Sequence, residues 1–357
     1  MKKIVNIDKS DYINAINMHL GLYNPLEGFV TLKEYENILK KKKLKKKNFL
    51  IPLNLFCTQE KAGQYKLGEN IYFKYKKEIV GFISLKSKFK VNKKKLMMLI
   101  FGTTSQLHKG FKIYKKKIDE KKISLGGKVF IFENKVKKFF YNNNISTVKK
   151  LKKIKNLNAS FSTRNIPHIG HNLIQKKIIK ITKNLTIFLI LSEKNKYNEK
   201  ILFNSYKALK KNKIFNKINI FFIYIPTFFA GPKETFLQAK IFENLKFKSF
   251  YVGRDHAGYK KFYGKFDSQK IFDQIKCKIK IIKFNEPMMC EKCKIPVINK
   301  FKNKRCCPTC KSDKLYELNG TDIKNLIKTK KIVVLSKLLD PLVFNFLKKK
   351  KFSLQNN

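Results

Sequence analysis

Tryptophan is absent from the 357-residue sequence, and only three of its 81 basic residues are arginine: Arg164, Arg254 and Arg305. The formal net charge of +57 would suit a nucleic-acid or membrane-surface protein. A specialised nucleic-acid binder would nevertheless be expected to use more arginine, whose planar fork pairs with phosphates and bases. Abundant lysine, asparagine, isoleucine and phenylalanine instead indicate a drift in residue usage, such as an AT-rich genome causes. Most lysines are therefore expected to be solvated surface that attracts anions without specificity.

Long apolar runs are also missing. The longest, such as residues 185–191 and 220–225, have the length of a strand and are too short to cross a bilayer. Residues 1–12 show no secretory signal. Five of the seven cysteines lie between Cys290 and Cys310, which favours metal binding in a reducing compartment over disulfides. We expect a cytoplasmic globular protein with no membrane or specific nucleic-acid partner.

Three consecutive segments are predicted: residues 1–136, 137–285 and 286–357. The first is β-rich, with a helix at 35–47 and strands at 49–56, 70–75, 78–85, 96–101 and 128–133. In the second, short apolar runs alternate with helical stretches, which indicates an α/β fold with a parallel, Rossmann-like sheet. The third is a cysteine-rich insert followed by a helical C-terminal segment.

Ligands of parallel sheets bind at the carboxyl ends of the strands. One motif at such a position is Ser162–His171, Ser-Thr-Arg-Asn-Ile-Pro-His-Ile-Gly-His. His168 and His171 are three residues apart, which places both imidazoles on one side of a helix N-terminus. A helix N-terminus already attracts anions, and the two imidazoles and the guanidinium of Arg164 make it suitable for a polyphosphate. The alternative is a pair of histidines satisfied at a helix cap.

A second motif, Gly253-Arg254-Asp255-His256-Ala257-Gly258, follows another strand. Small residues on both sides of three polar ones are typical of a loop that wraps a nucleotide with its N–H groups. A third stretch, Ala230–Glu234, is either part of the same site or an ordinary turn with Pro232 at the first helical position. His108, alone in the first segment, is expected to be a structural loop histidine.

The cysteines form two pairs, Cys290-x-x-Cys293 and Cys307-x-x-Cys310. Two tight turns that each supply two thiolates are typical of a zinc ribbon, and four protein ligands indicate a structural Zn²⁺. Cys306 can replace Cys307 as the third ligand. Cys57 and Cys277 are expected to be ordinary buried residues.

Together these motifs resemble those of the sulfate adenylyltransferase (ATP sulfurylase) family, in its zinc-containing prokaryotic form. Ser162–His171 resembles the family's Gln-Thr-Arg-Asn-Pro-x-His-x-x-His, and Ala230–Glu234 resembles its Ala-Gly-Pro-Arg/Lys-Glu. Gly253–Gly258 matches its Gly-Arg-Asp-His-Ala-Gly. Further similar segments are residues 24–29, Phe101-Gly-Thr with His108 and Gly110, and Gly320-Thr321.

The resemblance implies a PUA-like β-barrel followed by a Rossmann-like nucleotidyltransferase domain. It also implies the reversible reaction of ATP with sulfate to give adenosine 5′-phosphosulfate and diphosphate, with Mg²⁺ accompanying ATP, by a homo-oligomer. The implied catalytic residues are Thr163, Arg164 and Asn165. The implied sulfate-binding residues are Ser162, Arg164 and Ala257, and those for ATP are Arg164, His168, His171, Gly253, Arg254, Asp255 and His256.

The chain departs from the family pattern in three places. Ser162 replaces a glutamine, Ile166 replaces a proline that moves to Pro167, and the His-Pro segment is absent around Leu191-Ser192. No Gly-x-x-x-x-Gly-Lys-Ser/Thr loop is present, so a fused adenylylsulfate kinase domain is not expected. Two alternatives remain: an adenylyltransferase with another acceptor, prompted by Ser162, and a non-enzymatic basic RNA-binding protein.

Overall fold

The computed structural model describes residues 2–140, 143–193, 195–254, 256–259, 261–285, 287–293, 295–298, 307–317 and 320–353. The strands are β1 Ile4–Asn6, β2 Gly28–Phe29, β3 Lys43–Leu44, β4 Lys47–Asn48, β5 Leu55–Cys57, β6 Asn70–Tyr75, β7 Glu78–Lys90, β8 Ile123–Ile131, β9 Ala159–Thr163, β10 Leu185–Leu191, β11 Ile218–Tyr224, β12 Ser249–Val252, β13 Lys280–Lys283, β14 Pro287–Cys290, β15 Pro296–Ile298 and β16 Leu315–Glu317.

The helices alternate with these strands along much of the chain. They are α1 Lys9–His19, α2 Leu32–Lys41, α3 Gln59–Gly63, α4 Lys93–Phe101, α5 Lys109–Lys121, α6 Glu133–Phe139, α7 Asn144–Leu151, α8 Ile169–Thr182, α9 Glu199–Lys210, α10 Pro232–Asn244, α11 Asp267–Gln274, α12 Gly320–Lys328, α13 Ile332–Leu338 and α14 Pro341–Lys349. In the described residues, no helix is both long and apolar enough to cross a membrane.

The chain folds into two compact units, each made of three separate stretches of sequence. The first comprises Met1–Lys155, Tyr224–Phe247 and Asp255–Ile281, and the second comprises Asn156–Ile223, Lys248–Arg254 and Ile282–Asn357. The chain passes from the second unit to the first inside the Gly253–Gly258 loop, so the two ends of that loop belong to different units.

The first unit contains a six-stranded sheet in the order β1-β6-β7-β8-β2, with β5 also pairing with β8. Strands β1 and β6 are parallel, and β7 is antiparallel to both β6 and β8. Alternate residues of β6 are buried, namely Ile71, Phe73 and Tyr75, as expected for a strand with one face in a core. The β-rich character predicted for this part of the chain is confirmed.

One predicted strand of this unit, residues 96–101, is wrong, because the segment forms the last six residues of the nine-residue helix α4. Asn92 caps that helix by accepting the Lys95 N–H, and Gly102 ends it with φ 68°. Leu96, Met97, Ile100 and Phe101 are buried. Their spacing therefore follows one face of a helix, whereas the unbroken apolar run looked like a strand.

Two further boundaries differ from prediction. Of the strand predicted at 49–56, only Leu55–Cys57 forms a strand, after Pro52, which has no N–H to give to a ladder. The helix predicted at 35–47 begins earlier, behind a capping box formed by Thr31 and Glu34, and ends at Lys42 with φ 52°. Strands β3 and β4 follow as a short hairpin.

The second unit contains a five-stranded sheet in the order β11-β10-β9-β12-β13. Strand β9 is parallel to both of its neighbours, β10 and β12. All residues of β9, β10 and β12 are buried, as is usual for strands with both faces covered. The predicted parallel sheet is thus confirmed, and the carboxyl ends of β9, β10 and β12 meet at one edge.

A second, three-stranded antiparallel sheet in this unit has the order β15-β14-β16 and packs against α8. The helices α12, α13 and α14 follow it, and α14 packs against α9. Within that contact, Asn212 Nδ2 donates a hydrogen bond to Asp340 Oδ2 at 3.0 Å.

Candidate active site

The turn between β9 and α8 carries the first motif. Ser162 and Thr163 are buried at the end of β9, where Ser162 lies opposite Phe188 of β10. Thr163 Oγ1 accepts the Asn165 N–H at 3.0 Å, which closes the turn. Ile166 is fully buried. The apolar side chain at this departure from the family pattern therefore anchors the turn.

His168 and His171 begin α8 as a stacked pair. His168 occupies the N-cap position, and the two rings lie 4.1 Å apart at an interplanar angle of 28°. A Cβ at Gly170 would lie only 3.3 Å from the His168 ring, so glycine suits this close approach. The Nδ1 atoms of both histidines are buried and have no hydrogen-bond partner among the described residues. The placement predicted from the three-residue spacing is confirmed.

Burial keeps both imidazoles neutral near pH 7. Desolvation is the largest cause of the lowered pKa of each ring, and it brings the pKa of His171 to about 4. The positive charge of Lys196 lowers both pKa values further, and the His171 charge acts in the same direction on His168. A neutral imidazole retains one N–H donor and can gain a proton when an anion arrives.

Lys196, in the loop after β10, is a site residue that the sequence did not reveal. Its Nζ donates to Asn165 Oδ1 at 2.8 Å and to the Gly320 carbonyl at 2.8 Å. Burial lowers the pKa of Lys196 to about 8, and nearby Lys324 lowers it further, while Asp322 raises it. Lysine is so common in this chain that its sequence offered no signal at this position.

Gly320, the first residue of α12, lies directly against Asn165. A Cβ at Gly320 would come within 2.3 Å of the Asn165 side chain, which leaves no room for any residue but glycine. The Gly320-Thr321 resemblance did single out this segment in the sequence. Its contact with the first motif, more than 150 positions earlier, required the fold.

The second motif begins at the end of β12, the parallel neighbour of β9. Gly253 and Arg254 therefore lie at the same edge of the sheet as the first motif. Arg254 Nη1 donates to Glu317 Oε1 at 3.0 Å, and its side chain is 12% exposed. This ion pair joins the loop to β16 of the three-stranded sheet. Asp255 lies outside the described residues.

The other end of this loop belongs to the first unit. His256 Nε2 lies 2.7 Å from Gln238 Oε1 of α10, and the His256 carbonyl accepts a hydrogen bond from Thr235 Oγ1 at 2.9 Å. Ala257 has φ 55°, a left-handed conformation that turns the backbone back on itself. The beginning of α10 thus fixes the conformation of residues 256 and 257.

The Ala230–Glu234 stretch is a turn with Pro232 at the start of α10, as its alternative interpretation predicts. Gly231 has φ 50°, and a Cβ there would lie 2.5 Å from the Tyr263 ring. The Tyr263 hydroxyl donates to the Phe229 carbonyl at 2.9 Å and lies 3.3 Å from His108 Nε2. His108 also caps α5 by accepting the Phe111 N–H at 3.1 Å, so the structural role predicted for it fits these contacts.

Cys290, Cys293, Cys307 and Cys310 converge at the end of the three-stranded sheet, and their Sγ atoms all lie within 4.8 Å of one another. Three of these Sγ–Sγ distances are 3.8, 3.5 and 3.7 Å. Four sulfurs about 2.3 Å from a tetrahedral Zn²⁺ would be about 3.8 Å apart, so the donor set fits this ion. Cys306, the alternative ligand, lies outside the described residues.

A family model described as ATP-sulfurylase matches residues 140–349, which is more than half of the chain. The chain belongs to the ATP-sulfurylase family. A second model, a PUA-like domain, matches residues 1–134, which confirms the PUA-like N-terminal domain.

Curated relatives in the ATP-sulfurylase family match over most of their length. A sulfate adenylyltransferase of Halothermothrix orenii is 29% identical over 334 residues, which cover 89% of this chain and 84% of the relative. One from Carboxydothermus hydrogenoformans is 29% identical over 348 residues (91% and 86%). One from Staphylothermus marinus is 26% identical over 336 residues (91% and 85%).

A solved structure, described as a hexameric APS kinase from Thiobacillus denitrificans, is similar in fold, with a TM-score of 0.65 at 13% identity. The similarity covers 98% of this chain and 63% of the solved chain. At this level of identity it supports the overall fold alone.

Proposed function

We propose that the protein is a sulfate adenylyltransferase that converts ATP and sulfate into adenosine 5′-phosphosulfate and diphosphate. The observation that carries the proposal is the turn from β9 to α8. There, two neutral imidazoles with buried Nδ1 atoms begin α8 at the carboxyl edge of a parallel sheet, and Lys196 bonds to Asn165 and acts electrostatically on both rings. Because the chain belongs to the ATP-sulfurylase family, we assign to this site the transfer of the adenylyl group of ATP to sulfate.

In this reaction a sulfate oxygen attacks the α-phosphorus of ATP. The new O–P bond forms as the bond from the α-phosphorus to the bridging oxygen breaks, and that oxygen leaves with diphosphate. No protein nucleophile is required, so the site acts by placing the two reactants in line and by stabilising the charge that develops. We assign this work to Thr163, Arg164 and Asn165.

The remaining assignments follow the motifs. His168 and His171 bind the phosphates, with Arg164, Gly253, Arg254, Asp255 and His256 completing the ATP site. Ser162, Arg164 and Ala257 bind sulfate. Mg²⁺ enters with ATP as part of the substrate. Because both histidines are neutral in the ligand-free protein, an arriving polyphosphate can raise their pKa values and draw protons onto them.

We also propose a structural Zn²⁺ held by Cys290, Cys293, Cys307 and Cys310. Four thiolates complete a tetrahedral shell, so the ion would stabilise the three-stranded sheet and leave no open position for substrate. The division into residues 1–136, 137–285 and 286–357, a cytoplasmic location and a homo-oligomeric assembly belong to the same proposal. The hexameric description of the similar solved structure supports the last of these.

The decisive experiment measures diphosphate release from ATP and Mg²⁺ with and without sulfate. We expect sulfate-dependent release that falls by at least about a hundredfold in His168→Ala, because a buried donor to the charged phosphates is removed. Lys207→Ala, a change on α9, is the matched control and should retain activity.

A second candidate acceptor is suggested by Ser162, which lacks the amide donor of the family's glutamine. Ser162→Gln should lower the KM for sulfate if sulfate is the natural acceptor. Release of diphosphate with another oxyanion but not with sulfate would refute the proposed acceptor and favour a different adenylyltransferase.

A further inference from the structure

The ammonium group of Lys196 has only neutral hydrogen-bond partners. Asn165 Oδ1 and the Gly320 carbonyl accept its two hydrogen bonds, and none of the ion pairs within 4 Å in the described part of the chain includes it. The nearest charges act at longer range, with Asp322 favouring the ammonium and Lys324 opposing it. A cation removed from water is costly unless an opposite charge compensates it. The Tyr197 ring, with its centroid 5.6 Å from Nζ, is a further weak partner, but within the described residues no opposite charge contacts this ammonium.

The position of Lys196 indicates which anion would supply this charge. The loop after β10 meets the turn after β9 because these strands are parallel neighbours. The charge of Lys196 reaches both His168 and His171, since it lowers the pKa values of both rings. His168 is the N-cap of α8, so the positive end of that helix lies at the imidazoles. An anion that contacts the imidazoles consequently also lies within the field of Lys196.

An ammonium group has three N–H donors, and two of them are used on Asn165 and Gly320. We propose that the third donates to the polyphosphate chain of ATP and to the diphosphate that leaves. Lys196 is then a substrate-binding residue that also holds Asn165 in place. This inference deepens the proposed function and rests on the same site.

The chemistry gives this contact its value. When the bond to the α-phosphorus breaks, negative charge grows on the departing diphosphate, and a fixed cation stabilises that charge more than it stabilises bound ATP. Lys196 lies five residues after Leu191, in the segment where the family's His-Pro sequence is absent. The lysine thus lies in a segment that differs from the family pattern.

The test measures binding of inorganic diphosphate, with Mg²⁺, to the full-length protein by titration calorimetry, alongside kcat and KM for ATP. Lys196→Met is expected to raise the Kd for diphosphate about tenfold or more, because a charge-assisted hydrogen bond is lost. It should also lower kcat, because the contact strengthens in the transition state. Lys196→Arg should recover part of both.

Two further variants separate charge from positioning. Lys196→Gln keeps N–H donors for Asn165 and Gly320 but has no charge, and we expect it to bind diphosphate as weakly as Lys196→Met. Lys324→Met removes a neighbouring cation. The Lys324 ammonium lies over the Tyr197 ring, 5.9 Å from its centroid, and no hydrogen bond in the described residues joins it to Asn165. This variant should change the Kd less than about threefold.

Wild-type diphosphate affinity in Lys196→Gln, or in Lys196→Met, would overturn the proposal and leave Lys196 as a structural anchor. If Lys196→Met does not fold, the Kd for diphosphate of Lys196→Gln is compared with that of Lys196→Arg, and weaker binding by the uncharged variant supports the proposal. A wild-type protein that binds diphosphate through Lys196 but shows no sulfate-dependent release would refute the proposed function and leave this inference standing.

Discussion

The two histidines at the start of α8 show how burial sets the chemistry of single residues in this protein. Each imidazole lacks a partner for Nδ1 within the described residues, and each is held neutral by desolvation. Such an imidazole can form a hydrogen bond to a ligand or bind a proton when an anion is present. Its protonation in acid also lowers the stability of the ligand-free protein.

The free energy of unfolding should fall as the pH is lowered from about 7 to about 5. The pKa of His171 is about 4 in the folded protein and 6.5 when unperturbed, so within this window the unfolded chain binds a proton that the folded chain does not. Stability is thus highest above pH 6.5 and is lost as the pH falls towards 4. His171 alone should contribute roughly 1 to 2 kcal/mol, measured by urea unfolding.

His171→Gln isolates this contribution. The variant keeps the carboxylates and the other histidines, so the difference between its pH profile and that of the wild type reports His171. Parallel profiles for the two proteins would show that His171 titrates normally. Added diphosphate should reduce the wild-type fall, because an anion favours the protonated ring.

At this scale, rare residues were predictable and common ones were not. Arginine and histidine are so scarce here that Arg164, His168 and His171 stood out in the sequence, and the structure brings them to one turn. Lys196 was missed because one lysine among so many carries no signal, and only the folded loop brings it to Asn165. Glu317, which pairs with Arg254, was missed for a related reason, since no local pattern reports a distant ion pair.

Among the elements, the three-stranded sheet with its four cysteines connects to the site through two contacts. It packs against α8, and Glu317 at the end of β16 bonds to Arg254 after β12. Strand β16 pairs with β14 so that Leu315 lies opposite Cys290, two residues before Glu317. The cysteine cluster is therefore close in sequence and register to the residue that holds Arg254.

Metal analysis of protein purified without chelator should give about one Zn²⁺ per chain. Cys290→Ser or Cys310→Ser should lose the ion and lower the midpoint of thermal unfolding by several degrees, because a tetrahedral site with three thiolates binds more weakly. Cys277→Ser is the matched control and should keep both. A wild-type metal content far below one per chain would contradict the zinc assignment.

The strands of the second unit were largely predictable, because buried parallel strands are continuous apolar runs. Strand β10 was predicted with its observed ends. The misassigned residues 96–101 show the limit of this reasoning. A six-residue apolar run fits a strand or one face of a helix, and in this case the caps at Asn92 and Gly102 decide.

For the whole molecule, the dominant physical quantity is its net charge of +57. Lysines dispersed over a surface attract any polyanion. At physiological ionic strength, salt largely screens this attraction at distances beyond about 8 Å. Specific substrate binding in a partly buried site is screened much less. Charge alone therefore distinguishes poorly between an RNA-binding protein and an enzyme with anionic substrates.

RNA binding should be strong at about 50 mM salt and largely lost by about 0.5 M, with no preference for sequence. Arg164→Ala and His168→Ala should leave this binding unchanged while they abolish ATP turnover, as a filter-binding titration beside the diphosphate assay would show. Sequence-selective RNA binding that survives high salt, in a protein without ATP turnover, would instead support the RNA-binding alternative.

The lowered pKa of Lys196 also has a consequence for reactivity. Because the pKa of Lys196 is about 8, its amine should be unprotonated and nucleophilic in about half of the molecules near pH 8. Ordinary lysines remain almost fully charged at that pH. Because Lys196 is only half-buried, we expect small acylating reagents to reach it. In a protein covered with lysines, the amine beside Asn165 thus becomes one of the few that a mild electrophile modifies first, and a bound polyphosphate would protect it.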